Sequence, residues 1–187
     1  MPPPTIRIER FAIEGPALIY PKVHGDARGT FFEAFRQDLF DRDVAPGVRF
    51  VQDNQSFSRP AGTVRGLHFQ LDPRAQAKLV RVLKGSILDV AVDIRPASPT
   101  FGQHVAVTLS AENRAQLYVP AGFAHGFCTL EDDTEVFYKA SDYYSPDHDR
   151  GLAWNDPALG ILWPVAEADA TLSDRDRKHP PLADLQP

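Results

Sequence analysis

The chain has 187 residues, 43% of them hydrophobic, a length that suits one full core and is too short for two comfortable domains. Its formal net charge of −5 argues against nucleic acid or an anionic membrane as the main partner, so specific arginines would have to hold any anionic ligand. The single Cys128 excludes an internal disulfide framework, and the absence of a basic-then-apolar leader and of an apolar run of about twenty residues makes the cytoplasm the expected location.

Short strands and turns dominate the first part of the chain. Seventeen prolines and twelve glycines, scattered between alternating runs, favour many short strands over a helical bundle. Alternation predicts a first strand over Thr5–Phe11, and a turn at Asp26–Gly29 begins another strand over Thr30–Phe35. A short helix is predicted over Gln37–Asp43, ended by Pro46 and the glycine after it.

The middle of the chain combines one polar strand with two apolar ones. Residues Val48–Ser58 form a strand pattern that becomes polar, with three amides in four positions. Amides are expensive to bury unpaired, so they face either solvent or a polar cavity, and the pattern leaves both possibilities open. The alternating runs Ala77–Leu83 and Ile87–Asp93, on either side of a turn at Lys84–Ser86, predict a β-hairpin.

Further strands are predicted over His104–Leu109, Gln116–Val119 and Glu135–Ala140. Strands at this spacing indicate an all-β closed antiparallel barrel or jelly roll. Beyond Pro146 the prolines become more frequent, which predicts loops and short helical turns packed outside the barrel.

The stretch Thr63–Gln70 carries the clearest chemistry, with Lys78 ten positions after His68. The pattern predicts an imidazole and an ammonium on neighbouring strands. Histidine can remove a proton next to a carbonyl, and lysine can stabilise the oxygen that becomes negative. A lone pair of this kind is equally compatible with a histidine at the core edge and a surface lysine. Likewise, Arg28 is either a solvated turn charge or a bidentate clamp for phosphate.

A metal site is only half present in the sequence. Small double-sheet barrels of the cupin type often bind a metal through His-x-His, a carboxylate, and a later histidine after a Pro-x-Gly turn. The turn and His125 are here, but only His68 is present at the first motif, with Gln70 where a second histidine would stand. Two imidazoles without a third ligand hold zinc or iron poorly. We therefore expect acid–base groups in place of a metal, and no cofactor.

Taken together, these motifs resemble the dTDP-4-dehydrorhamnose 3,5-epimerase family. The resemblance runs almost from end to end, and no single motif carries it. The matching stretches are Gly25–Gly29 with Phe32–Glu33, Val51–Ser56, Arg65–Gln70, Gln76–Arg81, Asp89–Arg95, Ser98–Gly102, Pro120–Phe127, Tyr138–Lys139, Tyr143–Pro146, Trp154–Asp156 and Leu172–Asp176.

The resemblance implies one cupin-type antiparallel jelly-roll domain over residues 1–187 with a few short peripheral helices. It also implies an isomerase that inverts C3 and C5 of dTDP-4-dehydro-6-deoxy-D-glucose through enolate intermediates, giving dTDP-4-dehydro-L-rhamnose. The implied partners are this dTDP-sugar and a second copy of the chain, whose N-terminal strands complete part of the nucleotide site. Neither nucleic acid nor a membrane is implied.

The resemblance also implies roles for four catalytic residues. His68 is the base, and Tyr138 is the acid that returns a proton from the opposite face of the sugar ring. Lys78 stabilises the enolate oxygen. Asp176 fixes the tautomer of His68 and stabilises its charged form. A carboxylate that starts a helix after Ser173 is the alternative interpretation of Asp176.

Substrate contacts are implied at further positions. They are Arg28 and Arg65 at the diphosphate, Glu33, Gln52 and Asn54 at the nucleoside, Tyr144 stacked on thymine, His125 near the sugar, Phe31 as a further contact, and Asp149 and Arg175 where relatives often carry Glu and Lys. Both of these replacements keep the charge but alter the reach of the side chain.

Other functions stay open at this point. The nearest is a relative that inverts only C3 or only C5 in the pathway of an antibiotic sugar. A non-catalytic cupin that binds a sugar nucleotide, a ketoisomerase on the same barrel and a metal-dependent cupin oxygenase are less favoured by the motifs.

Overall fold

Two antiparallel sheets contain most of the strands. The structure is a computed structural model that describes residues 6–185. The six-stranded sheet consists, in spatial order, of β1 (Arg7–Arg10), β2 (Ala17–Tyr20), β10 (Gln116–Val119), β7 (Lys78–Lys84), β12 (Thr134–Ala140) and β5 (Gln52–Ser58). The five-stranded sheet consists of β13 (Asp149–Gly151), β6 (Val64–Gln70), β11 (Phe123–Thr129), β8 (Ser86–Asp93) and β9 (His104–Ser110).

The remaining elements are short and lie at the periphery. Strands β3 (His24–Asp26) and β4 (Gly29–Phe31) pair with each other in a separate hairpin, and helix α1 covers Gln37–Asp43. Three single 3₁₀ turns follow the barrel strands, at Pro157–Leu159, Asp176–Lys178 and Leu182–Asp184. Within residues 6–185, no helix is both long and apolar enough to cross a membrane.

The main core fills the space between the sheets. Its buried members come from both sheets, with Val80, Leu117 and Val136 on one side and Ile87 and Leu109 on the other. Because strand side chains alternate between faces, the next inward residue of β12 after Val136 is two positions further along. That residue, Tyr138, packs against the core while partly exposed, and it marks where the core gives way to a cavity.

The predicted hairpin over Ala77–Asp93 is wrong. Strand β7 pairs with β10 and β12, whereas β8 pairs with β9 and β11, so the turn between them carries the chain from one sheet to the other. Gly85 makes this turn with a φ of 78°, a conformation that favours glycine. Period-two alternation identifies a strand but not its partner, so the same pattern suits a hairpin and a crossing.

The placement of His68 and Lys78 also differs from the prediction. They lie on β6 and β7, which belong to different sheets, and not on neighbouring strands of one sheet as predicted.

Several element boundaries differ from the predictions, although the elements exist. The helix over Gln37–Asp43 is confirmed. The first strand covers Arg7–Arg10, and the predicted start at Thr5 lies outside the described residues. The strand predicted over Thr30–Phe35 ends at Phe31. The polar strand begins only at Gln52.

Candidate active site

A cavity opens between the two sheets. It has a volume of about 460 Å³, and its lining includes His68, Lys78, His125, Tyr138 and Asp176. A smaller recess of about 180 Å³ adjoins it. The two share His68, Lys78, Tyr138 and Arg175, so one elongated ligand can occupy both.

The reactive side chains lie on opposite walls of the cavity. His68 belongs to β6 of the five-stranded sheet, whereas Lys78 and Tyr138 belong to β7 and β12, which pair in the six-stranded sheet. The ammonium of Lys78 donates to the backbone carbonyl of His68 across the gap, at 3.4 Å. An imidazole on one wall and a phenol on the other therefore line the same cavity.

His68 and Asp176 form a hydrogen-bonded pair. Nε2 of His68 lies 2.7 Å from Oδ1 of Asp176, and Oδ2 of that carboxylate accepts the backbone N–H of Gly66 at 3.3 Å. The backbone N–H of Asp176 donates to Oγ of Ser173 at 3.1 Å, which fixes the 3₁₀ turn that carries the carboxylate. Because Nε2 is engaged, Nδ1 is the ring nitrogen that remains to accept a proton.

The surroundings keep His68 neutral and Asp176 charged. Burial lowers the pKa of His68, and this effect outweighs the neighbouring carboxylate, which acts in the opposite direction. Burial opposes the charge of Asp176, but the neighbouring imidazoles of His179 and His68 hold its pKa below the usual range. A neutral imidazole beside a carboxylate is the state that a general base requires.

Lys78 and Tyr138 are both protonated at neutral pH. Lys78 is 9% exposed, and burial lowers its pKa to about 8, while the charges of Asp149 and Asp89 act in the opposite direction. Burial raises the pKa of Tyr138, so its phenol remains a proton donor. The cavity therefore combines a cation that suits a developing oxyanion with an acid.

A second histidine–aspartate pair lies beside the first. His125 stands opposite His68 in the pairing of β11 with β6, and its Nε2 lies 2.7 Å from Oδ1 of Asp89. Oδ2 of Asp89 is buried without a hydrogen-bond partner in the part of the chain that the structure describes.

A glycine contact brings the two histidine strands together. A Cβ at Gly66 would lie 2.7 Å from Cα of Gly126, and Gly66 has a φ of 120°. A side chain at position 66 would therefore separate β6 from β11.

The amides of β5 line the smaller recess. Nε2 of Gln52 donates to Oδ1 of Asn54 at 2.9 Å, and Oε1 of Gln52 accepts the backbone N–H of Tyr144 at 3.0 Å. Gln55, on the other face of the strand, is exposed and bonds Glu135. The sequence pattern was compatible with amides that face solvent and with amides that face a cavity. In the structure, residues of β5 face the recess and the solvent alternately.

Charged residues complete the lining. Arg175 pairs with Asp149 at 2.6 Å at the edge of the smaller recess. Arg65 lines the larger cavity, where it donates to Oγ of Ser58 and to the carbonyl of Phe57, both at 3.0 Å.

Three predicted substrate contacts line neither recess. Arg28 pairs with Asp26 at 2.6 Å on the β3–β4 hairpin, and its side chain is 90% exposed. Phe31, at the end of the same hairpin, is 70% exposed. Glu33 follows the hairpin and lies near Arg36, at 3.5 Å. Within one chain, these residues are not brought together with His68.

The position at which cupins carry a second histidine has a different role here. The amide of Gln70 donates to the carbonyls of Arg74 and Tyr143, at 2.6 and 3.3 Å, and accepts the backbone N–H of Ser145 at 2.8 Å. The Gln70 amide therefore fixes the loops that carry these residues, and both its nitrogen and its oxygen are engaged in hydrogen bonds and not available to a metal.

One described group has the composition of a metal site. Ligand atoms of His68, Asp176 and His179 lie within 4.8 Å of one another. Within this group, the 2.7 Å hydrogen bond between His68 and Asp176 is the geometry of an acid–base pair. The expected absence of a metal stays a prediction.

Two polar residues at this site were not predicted from the sequence. Oγ of Ser56 lines the larger cavity and is buried without a hydrogen-bond partner among the described residues. His179 packs against the His68–Asp176 pair. For Ser56, the strand alternation that places Gln52 and Asn54 inward was a usable signal, whereas no local pattern indicated His179.

A jelly-roll barrel with a histidine–carboxylate pair facing a buried lysine and a tyrosine defines an enzyme of the acid–base class. The chain belongs to the dTDP-4-dehydrorhamnose 3,5-epimerase family, whose profile matches residues 10–184. The resemblance inferred from the motifs is thereby confirmed.

Individual relatives agree with this assignment. The dTDP-4-dehydrorhamnose 3,5-epimerase of Sinorhizobium fredii is 55% identical over 168 residues, covering 90% of this chain and 85% of the relative. A crystal structure of dTDP-6-deoxy-D-glucose-3,5-epimerase from Legionella pneumophila, in complex with dTDP-4-keto-L-rhamnose, matches with a TM-score of 0.92 at 43% identity, covering 97% of this chain and 95% of that one. A 3'-monoepimerase from Streptomyces bikiniensis, in complex with dTDP-quinovose, matches with a TM-score of 0.86 at 37% identity, covering 92% of this chain and 86% of that one. These matches confirm the predicted jelly-roll fold and the isomerase class.

Proposed function

We propose that the protein inverts C3 and C5 of dTDP-4-dehydro-6-deoxy-D-glucose and forms dTDP-4-dehydro-L-rhamnose. The observation that carries this proposal is the arrangement of the cavity walls, with His68 on one sheet and Lys78 and Tyr138 on the other. Inversion requires one group that removes a proton and another that returns it from the opposite face, and two facing sheets supply both.

The chemistry follows from the protonation states. Nδ1 of His68 takes the proton from the carbon next to the C4 ketone, and the electron pair of that C–H bond moves to the ketone oxygen. The charge of Lys78 stabilises the enolate oxygen. Tyr138 then protonates the same carbon on its other face, and the enolate returns to a ketone. His68 releases the proton that it took to solvent, and the phenolate regains one from solvent. The same sequence of steps serves C3 and C5.

The two adjoining recesses suit a sugar nucleotide. The amides of Gln52 and Asn54 offer donors and acceptors to a pyrimidine edge, and Tyr144 offers an aromatic face, a contact worth about 1–3 kcal/mol per base. Arg65 faces the larger cavity and suits a diphosphate. His125 also lines the larger cavity, where it would lie near the sugar. Asp149 and Arg175 form an ion pair at the edge of the recess. A bound ligand that contacts either side chain would have to weaken or break this pair.

We further propose that the protein acts as a homodimer in the cytoplasm, with one domain per chain. Arg28, Phe31 and Glu33 line neither recess of their own chain, and the exposed hairpin that carries Arg28 and Phe31 is suited to reach the site of a second copy. An exposed aromatic ring on the same hairpin as an exposed arginine suits a nucleotide site shared between two chains. Light scattering that finds a monomer at working concentration would contradict the dimer.

The test is incubation with dTDP-4-dehydro-6-deoxy-glucose in D₂O, with deuterium at C3 and C5 followed by NMR and mass spectrometry. Exchange at both carbons, with a product that a rhamnose-forming reductase accepts, is the expected result. In Tyr138→Phe, exchange persists while inversion falls by about 10²–10⁴-fold, because the base is intact and the acid is missing. Equal loss of exchange and inversion in that variant would contradict the division of roles.

Inversion at one carbon is the second candidate function. The similarity to the Streptomyces bikiniensis 3'-monoepimerase favours it, because this barrel also supports single inversion. Deuterium at only C3 or only C5 in the same experiment would establish it and overturn the double inversion.

A further inference from the structure

A second imidazole meets the carboxylate of Asp176. Nε2 of His179 lies 3.4 Å from Oδ1, the same oxygen that Nε2 of His68 meets at 2.7 Å. The two rings cross edge to face with their centroids 5.5 Å apart. The side chain of His179 is 9% exposed, and its Nε2 has no hydrogen-bond partner among residues 6–185. A buried polar atom without a partner costs free energy, so its position next to the catalytic pair has to be explained.

The fold leaves space for this ring at Gly151. Strand β13 pairs with β6 so that Gly151 stands opposite His68. A Cβ at position 151 would overlap the imidazole of His179, so a larger residue would push the ring away. The next residue, Pro180, is held in place because its carbonyl accepts the backbone N–H of Ala153 at 2.8 Å. The ring is thus held against the strand that pairs with the base.

We propose that His179 is a positioning residue that lowers the basicity of His68 through Asp176. With its proton on Nε2, His179 places the positive end of an N–H dipole near Oδ1, at an N···O distance of 3.4 Å and without the alignment of a hydrogen bond, and thereby makes that oxygen a weaker acceptor for His68. The imidazolium form of His68 is then stabilised less, so the neutral base persists to lower pH. This inference rests on the proposed role of His68 as the base.

The surrounding charges do not change the sign of the effect. Asp176, His68 and Lys78 face the pair from the cavity side. A separate surface cleft that includes His179 is lined by Asp149, Arg150, Arg175, Lys178 and Asp184. If His179 is neutral, its N–H group weakens the stabilisation that the Asp176 carboxylate gives to protonated His68. If His179 is charged, it adds a positive charge near His68. Both states disfavour a proton on His68. Burial is the largest cause of the lowered pKa of His68, and the charges of Lys78 and His179 act in the same direction.

Two substitutions separate the N–H group from the shape of the ring. His179→Phe keeps an aromatic ring beside Gly151 and has no donor, whereas His179→Gln loses the ring and keeps an N–H group. We expect His179→Phe to raise the pKa of His68 by on the order of half a unit, with the acid limb of kcat/KM moving up in pH by the same amount. His179→Gln should remain closer to the wild type.

A third variant tests the same point without changing the histidine. Gly151→Ala displaces the imidazole of His179 and should raise the pKa of His68 in the same direction as His179→Phe. It also keeps the test available if His179→Phe does not fold, which thermal melting will detect.

The titration of His68 is followed by NMR of the ligand-free protein, so the result does not depend on turnover. An unchanged titration in both His179→Phe and Gly151→Ala would overturn the proposal. A pKa shift in His179→Gln equal to that in His179→Phe would also overturn it, because ring packing alone would then explain the effect. A wild-type enzyme without exchange in D₂O would instead overturn the proposed function.

Discussion

The two histidine–aspartate pairs differ in access and not in hydrogen-bond length. His68 and His125 stand opposite each other on paired strands, and each Nε2 lies 2.7 Å from a carboxylate oxygen. The side chain of His68 is 32% exposed and that of His125 is 7% exposed. A base has to reach the proton that it removes. The greater exposure of His68, and not the pairing itself, therefore favours His68 over His125 as the proposed base.

The carboxylates of the two pairs also come from different parts of the fold. Asp89 belongs to β8 and pairs with Phe127 in the register of the five-stranded sheet. Asp176 lies on a 3₁₀ turn outside the sheets, 108 positions along the chain from His68. The enclosed pair is built within one sheet, whereas the accessible pair depends on a later segment packing against the barrel.

The largest expected effect comes from removing one histidine at a time. His68→Asn should reduce deuterium exchange at C3 and C5 by about 10²–10⁴-fold, the usual contribution of a general base. His125→Asn keeps the base, so its exchange should fall much less. Deuterium exchange measured on both variants under identical conditions shows which histidine is the base. Losses of the same size would show that access does not distinguish the two pairs.

Lys78 extends the comparison to the opposite wall, because it is buried yet lines the cavity. Lys78→Met should lower kcat by about 10²–10³-fold, as loss of one oxyanion donor does. Because the folded pKa of Lys78 is about 8, wild-type activity should also fall as the pH rises past that value. Arginine at this position keeps its charge, so Lys78→Arg should not show that decline. A basic limb that is the same in both proteins would contradict the assignment.

The same lysine should destabilise the fold at neutral pH. Its pKa drops from 10.5 to about 8 on folding, so the unfolded chain binds more protons between these values and stability rises with pH there. Below pH 8 the cost of burying the charge is fully present. Lys78→Met should therefore raise the free energy of unfolding at pH 7 by on the order of 1–3 kcal/mol. The gain, measured by urea denaturation, should shrink at higher pH.

A weaker effect is expected at Ser56, whose cavity hydroxyl has no hydrogen-bond partner among residues 6–185. Ser56→Ala should leave stability unchanged and raise KM roughly threefold to tenfold, the value of one hydrogen bond to a ligand. Ser86 is the matched control, because its Oγ bonds Glu131 at 2.6 Å and lines neither recess. Ser86→Ala should lower stability and leave KM unchanged. The reverse pattern would mean that Ser56 contributes to the fold and not to binding.

Local patterns predicted the elements better than their pairing. The helix over Gln37–Asp43 and the strand over Gln116–Val119 follow from residue spacing alone, and both are present with these bounds. The hairpin over Ala77–Asp93 failed because alternation carries no information about which sheet a strand joins. Likewise, Glu33 does not lie in a strand, although the alternation continues past Phe31.

The candidate site shows the same difference between what local patterns predict and what depends on distant contacts. His68, Lys78 and Tyr138 were found from motifs, and the structure places them around one cavity. The resemblance implied that His68 and Tyr138 act on opposite faces of the sugar. No local pattern indicated that they lie on different sheets, because this depends on the crossing between β6 and β7. His179 was missed because its contacts join the end of the chain to β6 and β13, and no periodic pattern records contacts between distant segments.

The late position of Asp176 has a consequence for biosynthesis. Every strand of both sheets lies before residue 152, so the barrel strands leave the ribosome before the carboxylate that completes the base. A chain shortened to residue 152 would therefore retain every one of these strands and still lack the carboxylate of the proposed base, because Asp176 is made later.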